Sequence, residues 1–182
     1  MSATTETTVT PETTTTQVYR IYIKATPEAV WEAITQPDWT EKYLYESRVD
    51  YDLRAGGAYK AYPSEAMRRH GAEMGYPIPD VVVDGEVVEA DPPRKLVQTW
   101  RMLMDPGMAA EGFTRLTFEI EPGQGPGQTG VTKLTVVHDL EGAPQVAALV
   151  RGDMEAEGAG GGWIAILSSL KTLLETGQPL ES

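Results

Sequence analysis

Gly162-Trp163-Ile164-Ala165-Ile166-Leu167-Ser168-Ser169-Leu170-Lys171-Thr172-Leu173-Leu174-Glu175-Thr176 is the stretch that decides the fold of this chain. Trp163, Ile166, Leu167, Leu170, Leu173 and Leu174 recur at helical spacing and make one apolar stripe. Ala165, Ser168, Ser169, Thr172 and Glu175 take much of the other side. Gly177 is placed to end the helix in the left-handed region, and Pro179 prevents its continuation. A helix so apolar along one side needs a sheet to lie on.

The residues upstream supply one. Gln17 to Lys24 alternates β-formers and reads as a first strand. Thr26-Pro27-Glu28 then gives an N-cap, a proline at the first helical position and an acid in the first turn. The short helix carrying Val30, Trp31, Ala33 and Ile34 is followed by a restart at Pro37 that runs to about Tyr43. Ser47–Leu53 and Ala58–Tyr62 form a hairpin around Arg54-Ala55-Gly56-Gly57. From Pro63 to Asp80 the alternation breaks into a long connection that holds a short helix.

Four more strands follow: Val81 to Ala90, Lys95 to Leu103, Phe113 to Glu121 and Val131 to Leu140. Met104 to Gly112 between them reads as a loop, and Ala143 to Val150 as one or two helical turns. Six successive strands after the helical pair imply an antiparallel meander, closed by the last helix.

Composition narrows the function. The chain has 182 residues, 41% of them hydrophobic, enough for one core. It contains no cysteine, which excludes disulfides, thiolate metal sites and cysteine nucleophiles. A net charge of -12 repels nucleic acid and anionic membrane surfaces, so neither is expected as a partner. Residues 1–16 are dominated by Thr and read as a disordered tail, without the basic and apolar regions of a signal peptide. Residues 17–177 are expected to form a single domain, with 178–182 as a short C-terminal tail. No run is long enough to span a bilayer, so the expectation is a cytoplasmic protein.

Five pieces in order resemble a known superfamily: Val30-Trp31-Glu32-Ala33-Ile34-Thr35, then Asp52-Leu53-Arg54-Ala55-Gly56-Gly57. Gly85 to Leu96 with Trp100, Gly130 to His138, and Gly162-Trp163 complete the set. The chain is similar to the SRPBCC (START/Bet v 1-like, helix-grip) superfamily. Within it, the resemblance is to the domain named after the activator of the heat-shock-protein-90 ATPase. It covers about Val18 to Gly177. It departs from the family pattern at Ala55, where Pro is frequent, and in the long Pro63 to Asp80 connection.

The resemblance implies an α+β fold, a curved seven-stranded antiparallel sheet wrapped round the long helix with a cavity between them. Superfamily members include lipid carriers, polyketide aromatases and cyclases. Binding of an apolar or aromatic small molecule is therefore the first expectation. A cyclase- or aromatase-like enzyme and a chaperone-ATPase accessory are the alternatives, the last placing a chaperone among the partners.

Strand parity puts His138 on one face with Leu134 and Val136, pointing inward. Imidazole titrates near neutrality, so His138 is the candidate polar anchor and the weak candidate acid/base. The plainer reading makes it a core-edge histidine satisfied by backbone or by Glu89. Tyr59, Trp100, Met102, Phe118, Trp163, Ile166 and Leu167 are the expected walls, since pockets for organic ligands are apolar and aromatic. Tyr62 joins them, with Trp39 and Tyr43 at an entrance on the two-helix corner. Gly158 to Gly162 lacks the βαβ context of a phosphate loop and reads as a hinge or close-packing device. Two histidines and no cysteine make neither a metal nor another cofactor part of the expectation.

Overall fold

A computed structural model describes residues 15–180 of the chain. Strand β1 (Thr16–Ile23) leads into α1 (Pro27–Thr35) and α2 (Pro37–Tyr43). The cap of α1 is the one its sequence announces: Thr26 accepts from the Ala29 N–H, with Pro27 at the first turn. The meander follows as β2 (Arg48–Tyr51), β3 (Ala58–Tyr62), β4 (Val83–Asp91), β5 (Lys95–Met102), β6 (Thr114–Pro122) and β7 (Thr132–Asp139). Helix α3 (Glu65–Glu73) interrupts it after β3 and α4 (Pro106–Ala110) after β5. Helix α5 (Pro144–Arg151), a single 3-10 turn at Glu155–Glu157 and α6 (Gly162–Thr176) end the chain.

All seven strands form one antiparallel sheet in the order β1-β7-β6-β5-β4-β3-β2. The first strand joins beside the last, because α1 and α2 carry the chain across to the far edge before the meander starts. Helix α6 lies against β1, α1, α2 and α5, with Trp163, Leu167, Leu170 and Leu173 buried. Its C-cap is Gly177 in the left-handed region, whose N–H reaches the Leu173 carbonyl. This is the helix-grip architecture, α+β with a seven-stranded curved sheet.

Most strand ends differ from the sequence reading by one or two residues, and three differences have a visible setting. The expected tail lies outside the described residues up to residue 14, but Thr16 opens β1 opposite Asp139. Strand β2 stops at Tyr51 rather than Leu53, because Asp52 already belongs to the turn: its carbonyl accepts from Arg54 at 2.7 Å. Met104 to Gly112 is not all loop. Asp105 caps α4 through the N–H groups of Gly107 and Met108, with Pro106 at the first turn. Among the described residues, no helix is long and apolar enough to cross a membrane.

Candidate functional site

Between the sheet and the amino-terminal half of α6 lies a pocket of about 740 Å³. Its floor is built by β2, β3 and β5, where inward parity places Val49 and Tyr51, Tyr59 and Ala61, and Trp100 and Met102. Leu116 and Phe118 of β6 continue the floor, and Trp163, Ile166, Leu167 and Leu170 of α6 form the roof. One side wall comes from α3 and the residues after it, through Met67, His70, Gly71, Met74, Tyr76 and Ile78. The opposite side comes from Leu149, Val150, Met154 and residues 157–160.

The glycines before α6 give this wall its shape. A Cβ on Gly162 would overlap the Val150 carbonyl oxygen, and one on Gly152 would lie 2.7 Å from the Gly161 oxygen. Helices α5 and α6 therefore meet backbone to backbone, which only glycine permits. Gly160 sits under the ring of Tyr45, where an added Cβ would lie 2.6 Å from the phenolic oxygen.

Tyr45 and Glu46 are the only described non-glycine residues with positive φ, 48° and 56°. Two consecutive left-handed residues of this kind are held by their surroundings rather than by preference. Glu46 accepts from Ser64 Oγ at 2.8 Å, and the same Ser64 caps α3 by accepting from the Met67 N–H at 3.0 Å. Arg68 with Asp80 and the Tyr76 hydroxyl on the Met104 carbonyl, at 2.7 Å, pin the rest of that wall. Only Gly71 of α3 is buried, and Met74 just beyond it is 72% exposed while still lining the pocket. The α3 wall is thus held by a few polar ties together with Met67 and Ile78, partly buried against the core.

The expected site residues divide into two groups. Tyr43, Tyr59, Trp100, Met102, Phe118, Trp163, Ile166 and Leu167 line the pocket. Trp39, Tyr62 and His138 do not. Trp39 packs partly buried against the core outside the pocket, with Lys42 Nζ 4.8 Å above its ring. Tyr62 falls one residue out of phase with Tyr59 and Ala61 and is 36% exposed on the outer face of β3.

His138 lies behind the wall, with no exposed surface. Its Nε2 is 2.8 Å from Thr114 Oγ1, and its Nδ1 accepts from Trp163 Nε1–H at 3.2 Å. Thr114 Oγ1 gives its own hydrogen to the Trp100 carbonyl at 2.9 Å, so it must accept from Nε2–H. The proton positions follow: Trp163 N–H to Nδ1, Nε2–H to Thr114, Thr114 O–H to Trp100. Burial holds the imidazole pKa down to about 3, so the ring is neutral. Glu89 is not its partner. A register shift between Val87 and Glu89 breaks the parity of β4, and Glu89 pairs with Lys95 instead.

Polarity within the pocket is sparse. No Lys or Arg lines it, and the ionisable groups are His70, Asp105, Glu157 and five tyrosines. Burial raises the phenols of Tyr43, Tyr51 and Tyr59, which stay protonated. Tyr51 and Tyr59 face each other across β2 and β3 with ring centroids 4.7 Å apart. Among the described residues, no group of His, Cys, Asp or Glu is arranged to hold a metal.

Several lining residues were readable but missed. Met67, His70, Gly71 and Met74 share one face of a helix by spacing alone. Tyr51 follows from Tyr59 once the hairpin register is fixed by its turn. For the Tyr45-Glu46 bend the sequence carries no signal.

A sequence model of the family described as "Activator of Hsp90 ATPase homolog 1-like protein" matches residues 24–175. No curated protein matches the sequence. Among solved structures, the chain is similar to the Aha1 dimer from Colwellia psychrerythraea, at 20% identity and a TM-score of 0.57 over 89% of this chain and 97% of that one. It is also similar to PFC0360w, an HSP90 activator from Plasmodium falciparum, at 18% identity and a TM-score of 0.50 over 69% and 73%. DynU16, a putative protein in the dynemicin biosynthetic locus, is 20% identical with a TM-score of 0.58 over 91% of this chain and 49% of that one. At these identities the likenesses speak for the fold.

Proposed function

The chain belongs to the family of Activator of Hsp90 ATPase homolog 1-like proteins, and we propose that it binds an apolar or aromatic small molecule between the sheet and α6. The observation that carries this reading is the pocket of about 740 Å³, walled largely by Tyr, Trp, Met and aliphatic side chains and without Lys or Arg. That volume falls within the range of pockets that enclose drug-sized ligands, roughly 300–1,000 Å³. Methionines at Met67, Met74, Met102, Met104, Met108 and Met154 give the wall adaptable side chains.

His138 supports this reading as a strut rather than as an anchor or a base. Both of its nitrogens are engaged and it stays neutral, so it holds Trp163 in the roof and offers no lone pair to a substrate. The cyclase-like alternative thereby loses its candidate acid/base. The test is a thermal-shift screen of the full chain against hydrophobic metabolites, read beside quenching of tryptophan emission, since Trp100 and Trp163 line the pocket. Binding that disappears in Leu167→Trp, with melting behaviour retained, is the expected result. Binding that persists in that variant would place the ligand elsewhere.

A chaperone-ATPase accessory is the second reading, favoured by the name of the family and by the likeness to PFC0360w, an HSP90 activator. Stimulation of an Hsp90 ATPase by this chain, undiminished in Leu167→Trp, would establish that role independently of the pocket.

A further inference from the structure

Resting on that binding reading, we propose that the pocket selects an uncharged aromatic ligand carrying a hydrogen-bond acceptor such as a ketone, docked on the Tyr59 hydroxyl, and rejects carboxylates.

Most donors around the pocket are already committed. Tyr43 donates to the Ala33 carbonyl at 3.0 Å, Tyr51 to Gln98 Oε1 at 2.7 Å and Tyr76 to the Met104 carbonyl at 2.7 Å. Trp163 donates to His138. Tyr59 differs. Its hydroxyl has no acceptor among the described residues, although the residue is 4% exposed and lines the pocket. Burial raises its phenol, which stays protonated and keeps its hydrogen to donate.

Gln98 repeats the pattern one layer deeper. It is fully buried, its Oε1 is filled by Tyr51, and its Nε2 closes no hydrogen bond, the one described buried side-chain atom in that condition. Donors thus outnumber acceptors where β2, β3 and β5 meet. With no acceptor beside it, the O–H of Tyr59 is left to point at one supplied from the pocket.

Charge sets the other half of the preference. No Lys or Arg lines the pocket, two of its ionisable groups, Asp105 and Glu157, are acids, and the chain carries a net charge of -12. A carboxylate entering this room would lose its hydration without gaining a countercharge. A ketone loses little and gains the Tyr59 hydrogen bond. The wall of Trp100, Phe118, Trp163 and Leu167 then takes the apolar body of the ligand.

Three probes of similar size separate these effects: pyrene, 1-acetylpyrene and 1-pyrenecarboxylate at pH 7.5, each titrated into the full chain with tryptophan quenching as readout. The expected order is 1-acetylpyrene tighter than pyrene by roughly five- to tenfold, and 1-pyrenecarboxylate weaker than 1-acetylpyrene on the order of 100-fold. Within Tyr59→Phe, 1-acetylpyrene and pyrene should bind with equal affinity. Carboxylate binding within tenfold of the ketone, or a ketone preference that survives Tyr59→Phe, overturns the proposal and leaves the binding reading standing. Failure of all three probes overturns the binding reading itself, and this proposal with it. The charge comparison needs only the unaltered chain, so it decides even if Tyr59→Phe does not fold.

Discussion

His138→Gln tests the strut at the back of the pocket through its dependence on pH. The folded imidazole has a pKa near 3, lowered from 6.5 by burial. Protonation would place a hydrogen on Nδ1, facing the N–H of Trp163 that now donates to it. In the unfolded chain the same ring titrates near 6.5. Between these two values the unfolded state binds more protons than the folded one, so stability rises with pH across that window. Stability from this group is therefore fully present above about pH 6.5 and is lost as pH falls toward 3.

At pH 4.5 the unfolded ring is about 99% protonated while the folded ring is almost entirely neutral, which costs the folded state about 2.7 kcal/mol relative to pH 8. For a chain of this size that corresponds to roughly 5–11 °C in melting temperature. Glutamine carries a donor and an acceptor but no titration. At pH 8 His138→Gln should be the less stable protein, because the three-bond chain through Thr114 and Trp163 is imperfectly rebuilt. Chemical denaturation at pH 8 and pH 4.5 should show the gap between the two proteins shrink by about 2.7 kcal/mol as pH falls. Carboxylates common to both cancel in that difference. A gap that does not change, or an imidazole resonance of His138 that titrates near 6.5, would refute a neutral, buried, doubly bonded ring.

Other perturbations probe the frame around the pocket. Gly85→Ala forces a Cβ onto the Thr99 carbonyl oxygen within the β4–β5 ladder; a loss of roughly 2–4 kcal/mol is expected in urea unfolding. Leu170→Ala, at a position 1% exposed under α6, should cost about 2–5 kcal/mol by the same measurement. Ser64→Ala removes both the cap of α3 and the tie to Glu46. It should cost about 1 kcal/mol locally and speed amide exchange in α3 about fivefold, with the sheet amides unchanged.

The fold was legible wherever a local signal and a period agreed. Thr26-Pro27 fixed the start of α1, the glycine pair of the hairpin fixed the register that brings Tyr51 opposite Tyr59, and Gly177 fixed the end of α6. Asp105-Pro106 carries the same cap-and-proline signal as Thr26-Pro27, yet α4 has only five residues and no stripe to reinforce it. Site residues obey a harder rule. Inward parity at His138 was readable, but whether it meets a ligand depends on what stands in front of it. The β6–β7 register sets Leu116 opposite His138, and α6 brings the indole of Trp163 over the ring. Those are contacts between elements distant in sequence, with no trace in the local pattern. Tyr62 shows the converse, since strict alternation from Tyr59 already sends it outward.

The size of the pocket bears on where it meets solvent. A sealed hollow of 740 Å³ would cost about 18 kcal/mol at about 24 cal/mol per Å³, more than the whole stability of a typical domain, about 5–15 kcal/mol. Such a room is tolerable only if it exchanges its contents with solvent. The sheet side is the firmer one, since β3, β4 and β5 are paired in one sheet and Trp163 is tied to three strands through His138, Thr114 and Trp100. The opposite rim is built differently. Helix α3 is buried only at Gly71 and is held by Ser64 on Glu46, Arg68 on Asp80 and Tyr76 on the Met104 carbonyl. Exposed polar ties of this kind are each worth about 1 kcal/mol or less, within reach of thermal opening. Tyr45, in its left-handed bend, and the glycines at 158 and 160 line the same pocket, with Gly160 against the Tyr45 ring. The pocket therefore meets solvent on the α3 side, where Met74 lines it and is 72% exposed, and the rigid half is the half that carries Tyr59.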